Sequence, residues 1–320
     1  MTTYKELFGK YVQNYSSDPT STDAEGQIWY NSTSGTFKTA LGLYGAWSAG
    51  GNLNTGRIRL GSAGTQTAAL AFGGSSPPST GLTATEKYNG TSWTSVPGMN
   101  QQRDNMFSGG TQTAAFGAGG YRQPGSTFGG TENYNGSSWT VSGNLGTARY
   151  QLAGAGTQTA GLAFGGGSPI TGGTEEYDGS TWTSGGTMGT ARYRLAGFGT
   201  QTAGLAAGGG TAPASAATES YNGTSWTTVN SLNTARRALS GAGVQTLGIV
   251  MGGEASPNTV TELWNGTSWT SNPTGLNVGR SNFAACGTQP AALAFGAGPA
   301  GNSTEEWNAA SLATKTITTS

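Results

Sequence analysis

The chain contains no histidine and a single cysteine, Cys286. Without imidazole, Ser/His/Asp and Cys/His catalysis and every imidazole metal site are excluded. One thiol closes no internal disulfide, and no paired thiols suggest a metal site or an oxidised scaffold, so stability must come from packing. Charge is scarce as well: charged residues make up 9%, and 15 basic residues balance 15 acidic ones. That leaves no electrostatic footprint for nucleic acid or an anionic membrane surface. No run of about 18 apolar residues occurs, and the opening MTTYKELFGKYVQNY lacks the apolar centre of a signal peptide, so membrane insertion is not expected. No cofactor and no metal are expected.

What the chain does have is glycine, 57 residues, with 9 Trp and 12 Tyr, a composition unlike that of helical proteins. It also repeats itself. Arg57, Arg103, Arg149, Arg192, Arg236 and Arg280 are 46, 46, 43, 44 and 44 residues apart, and Gln66, Gln112, Gln158, Gln201, Gln245 and Gln289 keep the same intervals. Trp93, Trp139, Trp182, Trp226 and Trp269 follow in step. A period in the forties with glycine and aromatic landmarks is the signature of propeller blades.

Within one unit, RYQLAGAG, QTAGLAFGGG, TEEYDG and STWTSGG read as four short strands bounded by turn residues. The small residues of the first strand suit an innermost position, where the sheets converge on an axis. Asn89-Gly90, Asn135-Gly136, Asp178-Gly179, Asn222-Gly223 and Asn265-Gly266 fall between the third and fourth strands, where a two-residue turn with positive φ twice is expected. The expected fold is all-β: a six-bladed β-propeller of four-stranded antiparallel blades over residues 46–320, with an N-terminal arm over 1–45. AWSAGGNLNTGR (46–57) aligns with TWTSGGTMGTAR (181–192), so Trp47 is a fourth-strand tryptophan that should complete the blade begun by residues 280–307 and close the ring. The C-terminal LATKTITTS is expected alongside as an extra or competing outer strand.

Arg before the first strand, paired glycines ending the second, Glu-x-Tyr-Asn-Gly in the third and Trp in the fourth together resemble the kelch motif. The match spans 47 to about 310, with departures: FGAGG in copy two, FGAG in copy six, and Trp264 and Trp307 in place of Tyr. The resemblance implies a kelch-type propeller. Residues 25–57, EGQIWYNSTSGTFKTALGLYGAWSAGGNLNTGR, resemble the opening of kelch-repeat proteins in the virions of tailed bacteriophages, including those of marine cyanobacteria. That implies a virion component of a tail fibre or appendage, made in the host cytoplasm. The kelch-like copper oxidase needs histidine ligands, so its activity is not carried over.

Glu86, Glu132, Glu175, Glu219, Glu262 and Glu305 lie two residues before the third-strand aromatic and so share its face, which is expected to be buried. A buried carboxylate needs a partner, and the landmark arginines are the first candidates. Because strands one and three of one sheet lie about 10 Å apart, a pair across neighbouring blades, or arginine contacts to backbone carbonyls, is expected to fit better. These arginines, glutamates and tryptophans are read as architecture, ahead of an anion-binding ring. Asp178 sits one position too close to Trp182 for a sialidase Asp box, and Glu175-Glu176 and Glu305-Glu306 point to opposite faces of their strands, so no acid/base pair is expected.

Binding is expected where the copies differ. The connections between strands two and three vary most, and in the longest, Tyr121, Arg122, Gln123 and Phe128 are the candidate contacts. In the N-terminal arm, Tyr4, Leu7, Phe8, Tyr11, Val12, Ile28 and Trp29 are the candidate docking residues. The combined expectation is a non-enzymatic virion protein, its arm docked on other virion proteins and its loops turned to host-surface glycan or a receptor. A capsid or tail decoration role is the alternative and a polysaccharide-acting enzyme the third reading; self-association into a homo-oligomer is compatible with each.

Overall fold

The computed structural model describes residues 12–18, 27–41, 44–76, 80–123, 125–210, 213–309 and 313–317. Among them there is no helix. They form repeated four-stranded antiparallel sheets, compatible with a β-propeller-like fold. The chain divides into two compact units, residues 47–308 and residues 1–46 with 309–320.

Among the described residues the larger unit carries six four-stranded sheets and two short two-stranded ones. Sheet 1 is Gly61–Thr65, Ala68–Phe72, Thr85–Tyr88 and Trp93–Val96, and sheets 2 to 5 repeat it at each landmark arginine. Sheet 6 takes Ala284–Gly287, Ala291–Phe295 and Thr304–Asn308 from the end of the repeats and its fourth strand, Ala46–Ala49, from their beginning. The placement expected for Trp47 is therefore found.

Burial explains each strand's composition. Second strands such as Ala68–Phe72 and Leu247–Met251 are buried along almost their whole length, so they read as continuous apolar runs rather than alternating ones. Third strands bury the Thr, the Glu and the aromatic, as in Thr131, Glu132 and Tyr134. First strands approach one another at backbone distance: a Cβ on Gly197 would lie 2.7 Å from the Gly154 carbonyl oxygen of the preceding sheet. Ser62, Ser108, Gly154, Gly197, Gly241 and Ala285, one from each first strand, line a common cavity of about 160 Å³.

Among the described residues no single central core is formed in this unit. Its buried apolar residues form six clusters, each drawn from two successive sheets, and one of them packs Leu60, Tyr88 and Trp93 of the first copy against Leu293 and Phe295 of the last. Polar contacts follow the same order. Trp139 Nε1 donates to Thr85 Oγ1 at 3.1 Å, Trp93 to Thr304 at 3.0 Å and Trp47 to Thr261 at 3.0 Å. The landmark glutamines, left without a role by sequence reasoning, span the same seams: Gln158 Nε2 donates to Ala115 O and Tyr134 O, and Gln66 Nε2 to Ala292 O and Trp307 O.

The turns between strands three and four correct the sequence expectation. Tyr88 pairs with Trp93, so the loop holds four residues, and only Gly90 has positive φ (92°) while Asn89 does not. Asn89 Oδ1 instead accepts from the Thr91 and Ser92 amides, both at 2.9 Å. Asparagine is chosen there as a side-chain acceptor, which is why Asp178 serves equally well, accepting from the Ser180 and Thr181 amides.

In the smaller unit, Gln13–Tyr15, Ile28–Asn31, Thr36–Leu41 and Ala313–Thr316 make one sheet, with the first two strands parallel. The C-terminal strand pairs with Thr36–Leu41 and adds to none of the six sheets, contrary to expectation. Trp29 is 1% exposed and its Nε1 donates to Asp18 at 3.3 Å, so its ring is used inside this sheet and is not presented for docking. Val12 and Ile28 are half-buried; Tyr4, Leu7, Phe8 and Tyr11 lie outside the described residues.

Candidate functional site

All six landmark arginines are buried and salt-bridged to the landmark glutamate of their own sheet: Arg57 to Glu86 at 3.1 Å, Arg149 to Glu175 at 3.0 Å, Arg236 to Glu262 at 2.9 Å, and Arg103, Arg192 and Arg280 to Glu132, Glu219 and Glu305 likewise. The expected obstacle, the width of two interstrand spacings, does not apply. The arginine stands before the first strand, and its long side chain crosses the strand ends instead of the sheet face.

The rest of each guanidinium explains its position. Arg236 Nη1 donates to Gly252 O at 3.0 Å and Val260 O at 2.7 Å, the two ends of the variable connection, and Arg149 does the same with Gly165 and Gly173. The glutamate's second oxygen accepts from the linker that enters the sheet: Glu262 Oε2 from the Asn233 amide at 2.7 Å and Glu132 Oε2 from the Asn100 amide at 2.7 Å. Each glutamate thus pins one inter-sheet linker, and four of the arginines, Arg103, Arg149, Arg236 and Arg280, also pin the base of a variable loop, whereas Arg57 and Arg192 donate to the second-strand carbonyls of Ala71 and Ala206. Burial pulls every one of these arginines below its ordinary pKa, Arg57 to about 10, against the opposing attraction of its glutamate.

Directly after each landmark arginine the copies diverge: Ile58-Arg59, Asp104-Asn105, Tyr150-Gln151, Tyr193-Arg194, Arg237-Ala238 and Ser281-Asn282. The second residue of each pair has φ between 54° and 59°, a left-handed conformation that costs non-glycine residues of the order of 1–2 kcal/mol. Their backbones compensate with a cyclic chain of hydrogen bonds. Asn105 N donates to Arg59 O, Gln151 to Asn105, Arg194 to Gln151, Ala238 to Arg194, Asn282 to Ala238, and Arg59 to Asn282, at 2.7–3.0 Å. The first residue of four of these pairs bridges the loop after strand two, as Asp104 does with Tyr121. Varied side chains therefore surround one end of the cavity between the first strands on a shared backbone frame.

Over copies one to four these side chains enclose a cavity of about 420 Å³, lined by Arg59, Asn105, Tyr121, Gln123, Tyr150, Gln151, Ile170, Tyr193 and Arg194 among others. The Tyr121 and Tyr150 rings meet at 5.5 Å, tilted by 55°. Arg194 is fixed by Glu254 at 3.0 Å and, with the Gln151 amide oxygen turned toward it, by that oxygen at 2.9 Å from Nε; Glu254 also holds Arg237 at 2.7 Å. Of the four loop residues singled out in the sequence, Tyr121 and Gln123 line the cavity. Arg122 and Phe128 do not: the Arg122 guanidinium lies 3.6 Å from the Phe128 ring centroid, and Phe128 rests against the buried Arg103. Tyr150, Tyr193, Arg59 and Arg194 were not anticipated, although their divergence beside a fixed arginine was the available signal.

Cys286 is buried, and burial pushes its thiol up to about 12. Among the described residues no cluster of three or more His, Cys, Asp or Glu could hold a metal ion. No protein-family model matches the chain, and no curated protein matches it in sequence.

Two buried tyrosines give a pH prediction. Tyr88 OH donates to Glu306 at 2.5 Å and Tyr221 OH to Glu176 at 2.6 Å, each across a seam between sheets. Burial first, and the carboxylate second, raise both phenols to about 12. Above about pH 10 the unfolded phenols release protons that the folded ones retain, so stability contributed by these groups falls from there toward pH 12. The lowered Arg57 acts in the opposite sense over the same window. Denaturant midpoints measured against pH should therefore fall more steeply for the native chain than for a Tyr88→Phe/Tyr221→Phe variant, in which Arg57 is unchanged; parallel curves would contradict this.

Proposed function

We propose that residues 47–308 are a six-bladed β-propeller of the kelch type, latched by Ala46–Ala49, and that the protein is a non-enzymatic binding component of a virion appendage. The six-fold repetition of the Gln, Trp–Thr and Arg–Glu contacts, including those that join the first and last copies, supports the ring. Presentation is the mechanism: a stiff frame fixes loop bases, so their side chains meet a ligand already positioned and little ordering entropy is lost on binding. The ligand class we propose is host-surface glycan.

The observation that carries this reading is the cavity of three tyrosines, amides and two arginines, built only from positions that vary between otherwise uniform copies. Aromatic faces with a few convergent polar groups suit a saccharide-sized ligand, and the volume lies in the usual small-ligand range of about 300–1,000 Å³. The kelch and bacteriophage resemblance supplies the virion setting, and the terminal sheet is the proposed attachment segment. Glycan-array screening of the full chain tests the reading: selective retention of a family of host-surface oligosaccharides is expected. No retention, together with stoichiometric association of the chain with capsid or tail protein, would favour a decoration role instead.

A further inference from the structure

We infer that this cavity selects a carboxylate-bearing saccharide, with Arg59 as the residue that binds the carboxylate; the inference rests on the glycan reading and narrows it. The lining carries two guanidinium groups and no carboxylate. The nearest acids are already engaged: Glu254 by Arg194 and Arg237, and Asp104, fully buried, by Asn105 Nδ2 at 2.8 Å. Counting these five charges, three cations face two anions, so the site as a whole stays positive.

Arg59 is poised differently from the other arginines. Its Nε has no partner, none of its side-chain nitrogens makes a hydrogen bond, and its ion pair with Asp104 is stretched to 4.0 Å. Its Nε is buried like that of several landmark arginines, but their whole side chains are enclosed, whereas Arg59 keeps 30% of its side chain exposed and lines the cavity, which leaves its Nη groups as the fork for a ligand. Asp104 can aim this guanidinium from below yet, being buried, cannot occupy the position a ligand carboxylate would take. A planar fork with free donors is the group that matches a carboxylate in two-point fashion. The tilted Tyr121 and Tyr150 rings beside it offer apolar faces to the C–H surface of a pyranose, and Arg194, held by Gln151 and Glu254, presents a second cation across the cavity.

An array carrying uronate- and sialate-bearing oligosaccharides beside their carboxyl-reduced forms tests this with the full chain. Binding of at least one acidic sugar about tenfold tighter than its reduced form is expected, weakening as salt is raised. Arg59→Gln should abolish that preference. Glutamine already stands at the equivalent backbone position, 151, so the fold should tolerate it. Tyr150→Ala should weaken both forms. Equal binding of acidic and reduced sugars, or an Arg59→Gln variant that keeps the preference, would overturn the inference while leaving glycan binding intact. Absence of binding to every sugar on the array would overturn the glycan reading and the inference together.

Discussion

Replacing Arg236 by alanine is expected to lower the unfolding free energy by about 3–5 kcal/mol, the range found when one partner of a buried ion pair is removed. For a unit of this size that is a fall of about 6–20 °C in melting temperature. Glu262 would remain buried, its charge uncompensated, although the Asn233 and Thr234 amides still donate to it. The Gly252 carbonyl would lose its arginine donor as well, and the Val260 carbonyl would keep only the Gly252 amide, at 2.9 Å. An Arg236→Met/Glu262→Met double variant should recover part of the loss, because the stranded charge is gone while the linker amides and the Gly252 carbonyl stay without their side-chain partners. Calorimetry of the single variant showing a change below about 1 kcal/mol, the value of an exposed pair, would contradict the bracing role. Loss of ligand binding at unchanged melting temperature would return these arginines to the ligand-binding role set aside above.

Trp47→Ala is expected to cost about 3–5 kcal/mol, like other truncations of a buried tryptophan. The sharper expectation is equality. Trp47 is 6% exposed, packs 5.5 Å from Trp307 and donates to Thr261; Trp139 is 5% exposed, packs 5.0 Å from Tyr134 and donates to Thr85. If the strand Ala46–Ala49 is a full member of the sixth sheet, Trp47→Ala and Trp139→Ala should destabilise by similar amounts. A strand merely laid alongside would make the Trp47 variant nearly neutral. Deleting residues 1–52 should do more than destabilise: Thr304–Asn308 becomes an open edge, and self-association through that edge should appear in sedimentation.

The sequence disclosed the architecture through its period. Six arginines and six glutamines in phase, with Trp47 standing ahead of the first, were enough to divide the chain into four-strand units and to assign Ala46–Ala49 to the last sheet. What it did not disclose is three-dimensional in origin. The pairing of Arg57 with Glu86 was discounted because distance was measured across the sheet, and the arginine in fact crosses its end. Asn89-Gly90 was taken for a two-residue turn because the dipeptide favours one, while the side-chain acceptor of Asn89 stabilises a longer loop. The sheet of Ile28–Asn31 with Ala313–Thr316 has no repeat and joins chain ends far apart in sequence, so no local pattern could reveal it. The cavity is assembled from residues 59 to 194, related only by their offset from a landmark arginine. Attention to the longest loop found Tyr121 and Gln123 but missed the positions where the identical frame makes variation visible.

Closure of the six sheets through Trp47 is tested most directly by photocrosslinking. With Trp47 replaced by a photoreactive benzoylphenylalanine, the monomeric chain is irradiated, digested and its crosslinked peptides are identified by mass spectrometry. Crosslinks within one chain to the segments around Thr261 and Trp307 are the predicted result. Crosslinks confined to the first repeats, or found only between separate molecules, would contradict the closed ring.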